Sequence, residues 1–193
     1  MTTGWDTQEN EITGTGLIPG DPLESAIFTS LPPGSYTAIV QGKNVTPGLP
    51  VPTSGTALVE VYDLGETATL LNISARGGVQ GPASPMIAGF IIGSGADNTL
   101  LIRAIGPSLE AFWLSGLSNP RLDLYDGEGN IVTSNDNWQD SQSAEITATG
   151  LAPFDPLEAA ILITLPRGSY TAVLSPIDSQ DHGTALAEIY RLD

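Results

Sequence analysis

Short runs of alternating apolar and polar residues, separated by turn residues, make up most of this chain. In the run 184–190, Ala185, Ala187 and Ile189 fall on one face, as in a β-strand with one buried side. Eight such runs lie between residues 69 and 190, and Gly, Pro or Asp punctuates most of them. The predicted strands are 69–75, 86–92, 98–105, 121–125, 131–134, 160–164, 169–174 and 184–190.

Two short helices are predicted among these strands. Pro107 begins the run 107–114, and Pro is favoured at the first helical position. Asp140 or Ser141 stands where a cap is expected for a second helix that ends at Ala148. The predicted fold class is therefore all-β: a jelly-roll-like antiparallel β-sandwich with one or two short helices.

An internal repeat dominates the sequence. Residues 11–41 return as residues 145–175 at an offset of 134, with 20 identities in 31 positions. Residues 55–64 return as residues 183–192 at an offset of 128, so the difference of six residues falls in the loop between the two blocks. This pattern predicts a second, half-sandwich copy at the N-terminus.

The repeat defines two predicted domains. Residues 1–64 form a half repeat, and residues 65–193 form a complete β-sandwich repeat. Within the complete repeat, residues 66–135 have no counterpart upstream and are called the first half here. Residues 136–193 are the second half, which the half repeat copies.

Half of a sandwich exposes an apolar face and unpaired strand edges, and both promote aggregation unless they are covered. Three arrangements answer this need. A neighbouring subunit completes the half repeat, both second-half copies pack on the single first half, or the chain is a slice of a longer array. We expect the first arrangement, with strand pairing between chains in an isologous dimer or a head-to-tail filament.

The composition excludes several classes of function. The chain has 22 Asp and Glu against 6 Lys and Arg, a net charge of −16, which argues against nucleic-acid partners and anionic membranes. It has no Cys and one His, so thiolate or His-rich metal sites are not expected. No apolar run is long enough for membrane insertion. Residues 1–5 also lack a signal peptide, so either an export signal was removed or the chain is a piece of a longer one.

The densest polar cluster lies on the loops around the predicted hairpin 121–134. Carboxylate and amide oxygens are the ligands that calcium takes, so calcium is the one candidate cofactor. The spacing is not that of an EF-hand, and Asp and Asn are also ordinary turn residues, which is the interpretation we favour. The candidate ligands are Asp123, Asp126, Glu128, Asn130, Asn135 and Asp136.

Trp113 and Trp138 are candidate platforms on which sugar rings would stack. Trp5 occupies the position of Trp138 in the half repeat, and this repetition favours a packing role at the end of the sandwich.

Two pairs of acids invite comparison with glycoside hydrolases, which use paired carboxylates. Glu24 matches Glu158, and Glu60 matches Glu188. Acids in strands and loops are usually solvated or accept local backbone hydrogen bonds. We therefore predict no catalytic residues and no enzyme activity.

Four motifs of the complete repeat are distinctive: LIRAIGPSL at 101–109, LDLYDGEGN at 122–130, NDNW at 135–138 and GTALAEIY at 183–190. They resemble a tandem repeat of large secreted and surface proteins from environmental bacteria. The hairpin motif at 122–130, followed by Leu-Pro-x-Gly-Ser-Tyr at 165–170, is also similar to the bacterial pre-peptidase C-terminal type of β-sandwich. The resemblance implies an extracellular, non-catalytic module that links, spaces or adheres.

The function predicted from these features is structural. We expect a non-catalytic module on the bacterial surface or outside the cell, whose partner is itself, in a filament or another homopolymer. The rival function is an adhesion module that binds surface glycans or a calcium-dependent ligand.

Overall fold

The computed structural model describes residues 5–42, 55–65 and 69–193. The chain divides into two compact units, Met1–Val61 and Tyr62–Asp193. Within the described ranges, no helix has the length and apolar character needed to cross a bilayer.

The second unit is a β-sandwich of two four-stranded sheets. Its strands are β1 (Asn72–Val79), β2 (Met86–Ile92), β3 (Asn98–Ile105), β4 (Pro120–Tyr125), β5 (Ile131–Asn135), β6 (Ala159–Leu165), β7 (Gly168–Pro176) and β8 (Gly183–Arg191). One sheet has the order β1-β8-β3-β6 and the other β2-β7-β4-β5, and all their ladders are antiparallel. This interleaved order is that of a jelly roll, so the predicted all-β sandwich is confirmed.

The core lies between the two sheets. Strand β8 turns Ala185, Ala187 and Ile189 inward, as the alternation in the sequence predicts. Strand β3, the neighbour of β8 in the same sheet, adds Ile102, which is 1% exposed, and β4 in the opposite sheet contributes Leu124, which is fully buried. Other side chains in this cluster are Val79, Leu100, Leu117, Leu122, Ile161, Leu165 and Leu174.

A second apolar cluster covers the outer face of the first sheet. Leu101 and Ala160 point away from the main core and pack with Trp138 and with Ile146 of helix α2 (Ser143–Ala148). The sheet is thus buried on both faces at this point. Strand β3 accordingly reads as a nearly continuous apolar run.

The helices differ in detail from the prediction. The segment predicted as a helix over 107–114 is a 3₁₀-helix, Pro107–Phe112, that ends at Trp113 in a left-handed conformation (φ 61°). Neither Asp140 nor Ser141 caps α2. Its N-cap is Gln142, also left-handed (φ 54°), whose side chain hydrogen-bonds both main-chain groups of Leu162 on the edge strand β6. This clamp occupies backbone groups that an edge strand would otherwise leave unpaired.

The first unit carries helix α1 (Glu9–Thr15), preceded by a 3₁₀-turn, Asp6–Gln8. Its described residues after α1 contain no strand, although their sequence matches β6, β7 and β8. Ile12 of α1 is 4% exposed and is the one fully buried hydrophobic residue among the described residues of this unit.

Candidate functional site

The half repeat keeps the local structure of the second half. Gln8 Nε2 donates to Phe28 O at 2.6 Å, as Gln142 Nε2 donates to Leu162 O at 2.8 Å. The return bond is also kept, because Phe28 N donates to Gln8 Oε1 at 3.0 Å. Further matched pairs are Gly16 and Gly150 (φ 74° and 72°), Thr15 and Thr149, and Tyr36 and Tyr170.

The Asp-Pro-Leu-Glu turn is likewise the same in both copies. Asp155 N donates to Glu158 Oε2 at 3.2 Å, and Asp21 N donates to Glu24 Oε2 at 3.1 Å. These bonds join residues close in sequence, so they form without help from the rest of the sandwich. The half repeat is therefore folded locally in the manner of the second half.

The sheet partners are what the half repeat lacks. In the complete repeat, β6 pairs with β3, β7 pairs with β2 and β4, and β8 pairs with β1 and β3. Each of these partners belongs to the first half, and no second-half strand pairs with another. A second half with this topology cannot form a sheet from its own strands.

The matching segments of the half repeat are exposed. Residues 25–31 correspond to β6, yet Ile27 is 83% exposed where Ile161 is 3% exposed. Leu31 is 55% exposed where Leu165 is 4% exposed. The segments matching β7 and β8 also present apolar side chains to solvent: Tyr36, Ile39, Val40, Leu58, Val59 and Val61. This surface, over 25–42 and 55–63, is the candidate functional site and is called the open strand surface.

The first half is held by a buried ion pair in the complete repeat. Arg103 of β3 lies against Glu188 of β8, with side chains 13% and 8% exposed and Nε 2.9 Å from Oε2. Arg103 Nη1 also donates to Leu151 O at 2.6 Å. Tyr190 also contacts the pair: its hydroxyl donates to Glu188 Oε1 at 2.8 Å, and its ring lies 4.9 Å from the guanidinium carbon. Leu151, Glu188 and Tyr190 together form the binding site of the Arg103 guanidinium, called the cradle.

The surroundings of Tyr190 shift the pKa of its hydroxyl. Burial raises the pKa of the Tyr190 hydroxyl, and its hydrogen bond to Glu188 and that group's charge raise the pKa further. The positive charge of Arg103 acts in the opposite direction. Tyr190 therefore stays a protonated donor to Glu188 at neutral pH.

Glu158 anchors the start of the 3₁₀-helix. Its side chain is fully buried, and Oε1 accepts hydrogen bonds from Gly106 N at 3.2 Å and Ser108 N at 2.9 Å. These main-chain donors at the start of the helix need an acceptor when they are buried. Glu158 supplies it from the second half.

A close backbone crossing joins the two halves at Gly183. Thr184 N donates to Ser115 O at 2.7 Å, and Leu117 N donates to Thr184 O at 2.9 Å. A Cβ on Gly183 would lie 2.8 Å from the main chain of Gly116, which is too close for any side chain. Only glycine fits at position 183 while the first half is in place.

The expectation that these acids are solvated is wrong for Glu158 and Glu188. Glu158 does accept one local bond, from Asp155 N, but both carboxylates are buried and bind the first half. Neighbouring sequence gives no sign of this, because their first-half donors are at least 50 residues away. The usable signal is the recurrence of the same glutamates, as Glu24 and Glu60, in the half repeat.

Asp126, one of the candidate calcium ligands, accepts hydrogen bonds from protein donors. Asp126 Oδ1 accepts hydrogen bonds from Glu128 N at 3.0 Å and Asn130 N at 2.8 Å, and Asn130 Nδ2 donates to Asp126 Oδ2 at 3.0 Å. This is the turn chemistry of a short hairpin loop. The bond from the Asn130 side chain, followed by the backbone bonds, lowers the pKa of Asp126.

The remaining candidate ligands lie beside strands β4 and β5. Asp123 pairs with Arg121, which raises the pKa of that guanidinium, and accepts a bond from Ser134 at 2.6 Å. Asn135 is buried and accepts from Ala160 N at 2.9 Å, while Asp136 lines a shallow hollow with Arg121. In the described ranges, no group of three or more His, Cys, Asp or Glu side chains has the arrangement of a metal site. Calcium binding stays a prediction.

The tryptophans occupy different environments. Trp138 is 7% exposed, and its Nε1 donates to Asp155 O at 3.1 Å, so it has almost no free ring face for a sugar. Trp113 is 97% exposed, beside Phe112 at 72%. Phe112 and Phe154 line a hollow whose floor includes the Arg103–Glu188 pair.

No protein-family model matches this chain, and no curated protein matches it. Among solved structures, the chain is similar to the pre-peptidase C-terminal domain of the collagenase from Bacillus anthracis, with 12% sequence identity and a TM-score of 0.41. The match covers 62% of this chain and 89% of that one. The hairpin and Leu-Pro-x-Gly-Ser-Tyr motifs resemble this same type of domain.

Replacing the two equivalent glutamates separately tests the role assigned to Glu158. Glu158→Ala leaves buried N–H groups of Gly106 and Ser108 without an acceptor, so we expect the sandwich to lose about 3 kcal/mol or more of unfolding free energy. Glu24→Ala is the matched control, because Glu24 is exposed and the one donor to it in the described chain is Asp21 N. It should cost less than about 0.5 kcal/mol. Urea unfolding followed by tryptophan fluorescence measures both, and equal losses would contradict the assignment.

The lowered pKa of Asp126 gives a prediction about acid stability. A carboxylate whose pKa is lowered by folding stabilises the fold above its ordinary value of 3.8, and this contribution disappears as the pH falls through the folded pKa. Asn130→Ala removes the largest cause of the shift. In this variant we expect the NMR titration midpoint of Asp126 to rise toward 3.8. Below about pH 4, the free energy of unfolding of the variant should change less with pH than that of the parent chain. An unchanged midpoint would show that Asn130 does not hold this carboxylate.

Proposed function

We propose that this chain is a non-catalytic, extracellular structural module of a bacterial surface that self-assembles through its half repeat. The observation that carries the proposal is the open strand surface. It has the strand sequences and local hydrogen bonds of β6 and β7 but no ladder, and its apolar side chains face solvent. In the proposed assembly, strands of a neighbouring subunit pair with these segments and cover them.

The energetics favour such pairing. Burying an exposed Ile or Leu side chain stabilises a complex by about 1.5–3 kcal/mol. Ile27, Leu31 and Ile39 are all more than half exposed, so covering them offsets much of the entropy lost on association. Strand addition also satisfies main-chain groups along each edge, which is the usual basis of β-augmentation.

The buried acids support a structural role over catalysis. Glu158 and Glu188 are committed to hydrogen bonds with the first half and do not face an open cleft together. A net charge of −16 suits a module that remains dispersed at high concentration until a specific contact forms.

Charged substitutions on the open strand surface should block self-assembly. Ile27→Asp combined with Ile39→Asp places carboxylates where partner strands would pack, so we expect monomers at concentrations where the parent chain forms larger species. Ile177→Asp is the control, because Ile177 is exposed in the sandwich unit outside the open strand surface. Size-exclusion chromatography with light scattering gives the masses. A parent chain that is monomeric at every concentration would refute self-assembly.

The alternative function is adhesion to surface glycans, with or without calcium. The specific observation in its favour is Trp113, which is 97% exposed in a left-handed conformation and directly follows the exposed Phe112, a residue that lines the hollow. A non-glycine residue with positive φ is uncommon and often marks a functional position. A flat exposed ring beside a hollow with polar groups is a suitable surface for a sugar.

Trp113→Ala and Trp113→Phe test this alternative on a glycan array, each read with calcium and with a chelator. If the module binds glycans through stacking, the parent chain gives a signal, Trp113→Ala loses it, and Trp113→Phe keeps most of it. A chelator-sensitive signal would connect binding to the loops around Asp126. An array without signal for the parent chain would leave the adhesion function unsupported.

A further inference from the structure

We infer that the specific partner of the open strand surface is a first-half segment, a polypeptide of the type of residues 66–135, supplied by another repeat of this class. The inference rests on the proposed function, since both use the same exposed strands. It goes further by naming the chemistry that completes them.

The topology specifies the partner. In the complete repeat, every ladder of β6, β7 and β8 runs to a first-half strand, and β7 and β8 each lie between two of them. The matching segments of the half repeat therefore need four first-half strands, the equivalents of β1 to β4, in the same order. A single added strand, or another second half, would leave most of their edges unpaired.

The cradle for Arg103 is present a second time. Its partners in the complete repeat are Leu151, Glu188 and Tyr190. The half repeat carries the same three residue types at the matching positions, as Leu17, Glu60 and Tyr62. A first half paired with the half repeat in the same register would place the arginine of its own third strand beside these three positions.

Two further positions in the half repeat have the residue that a first half requires. Glu24 matches Glu158, which binds the main chain at Gly106 and Ser108. Gly55 matches Gly183, where the backbone of Gly116 leaves no room for a Cβ.

Among the described residues, nothing around position 55 demands glycine. A Cβ there would meet none of their atoms within 4 Å, and the φ of Gly55 lies outside the left-handed region. The glycine is explained by the same backbone crossing that Gly183 makes with the first half. Gly55 is therefore the position that best distinguishes a first half from any other polypeptide that could bind the open strand surface.

Within residues 1–193, segments of second-half type outnumber first halves. These residues contain one first half and two segments of second-half type, and the first half is already paired within Tyr62–Asp193. If a first half moves to the half repeat of a neighbour, it leaves its own second half uncovered, so no net pairing is gained. Contacts between half repeats alone satisfy neither the cradle nor the crossing, and form the weaker complex.

The test adds a second first half to the full chain. Residues 66–135 are joined directly to Thr3, which reproduces the two-residue spacing between Asn135 and the tryptophan that follows it. We expect backbone amides in 25–42 and 55–63 to exchange with deuterium roughly 100-fold more slowly in this extended chain than in the parent chain. Residues 159–191 serve as the internal reference and should not change.

Two variants of the extended chain make the result specific. Gly55→Val should abolish the new protection, because its side chain would collide with the added backbone crossing as one would at Gly183. Gly20→Phe should keep the protection, because it introduces the residue that the second half has there, Phe154, which is 95% exposed. Protection that survives Gly55→Val would overturn the inference.

The failure of this inference and that of self-assembly give different results. If the parent chain is monomeric but the extended chain gains protection, self-assembly is refuted and the first-half partner stands. If the parent chain associates but the extended chain exchanges as fast as before, the first-half partner is refuted and self-assembly stands.

Discussion

The pairing of each second-half strand with first-half strands is the constraint on which the rest of this molecule depends. In the sheet orders β1-β8-β3-β6 and β2-β7-β4-β5, strands that are late in the sequence are inserted between early ones. The backbone groups of β7 and β8 are therefore satisfied on both sides by residues at least 46 positions away, the separation of Tyr125 and Thr171. A copy of the second half without a first half keeps its turns and its helix but has no sheet to join.

Buried polar contacts add specificity to this pairing. Removing Arg103, Glu158 and Glu188 from water is costly unless their partners are well placed, so each of these contacts penalises incorrect pairing. Glu158 ties the second half to the start of the 3₁₀-helix, and the Arg103–Glu188 pair ties β8 to β3. The crossing at Gly183 and Gly116 adds a steric requirement that no other residue type meets. The two halves thus recognise each other through charge and shape as well as through apolar area.

Local elements were predictable because their determinants are local. All eight strands lie where alternation and turn residues place them, although β1 begins at Asn72 and extends to Val79, beyond the predicted 69–75. The Asp126 loop follows from Asp-Gly turn chemistry. The N-cap of α2 was missed because Gln142 is held by Leu162, a residue 20 positions away on an edge strand. The burial of Glu158 was missed for the same reason, since its partners lie 50 and 52 positions earlier.

The sequence alone determined the fold class, the strand positions and the existence of a repeated second half, because periodicity and turn residues act over a few neighbouring positions. Only the tertiary structure decided which strands pair, and hence that the described segments 25–42 and 55–63 of the half repeat form no sheet. Strand pairing depends on contacts between distant residues, and alternation says which face is buried but not against what. For the same reason the sequence does not distinguish Trp138 from Trp113, since each adjoins a short helix. In the structure Trp138 packs under α2, whereas Trp113 is exposed to solvent.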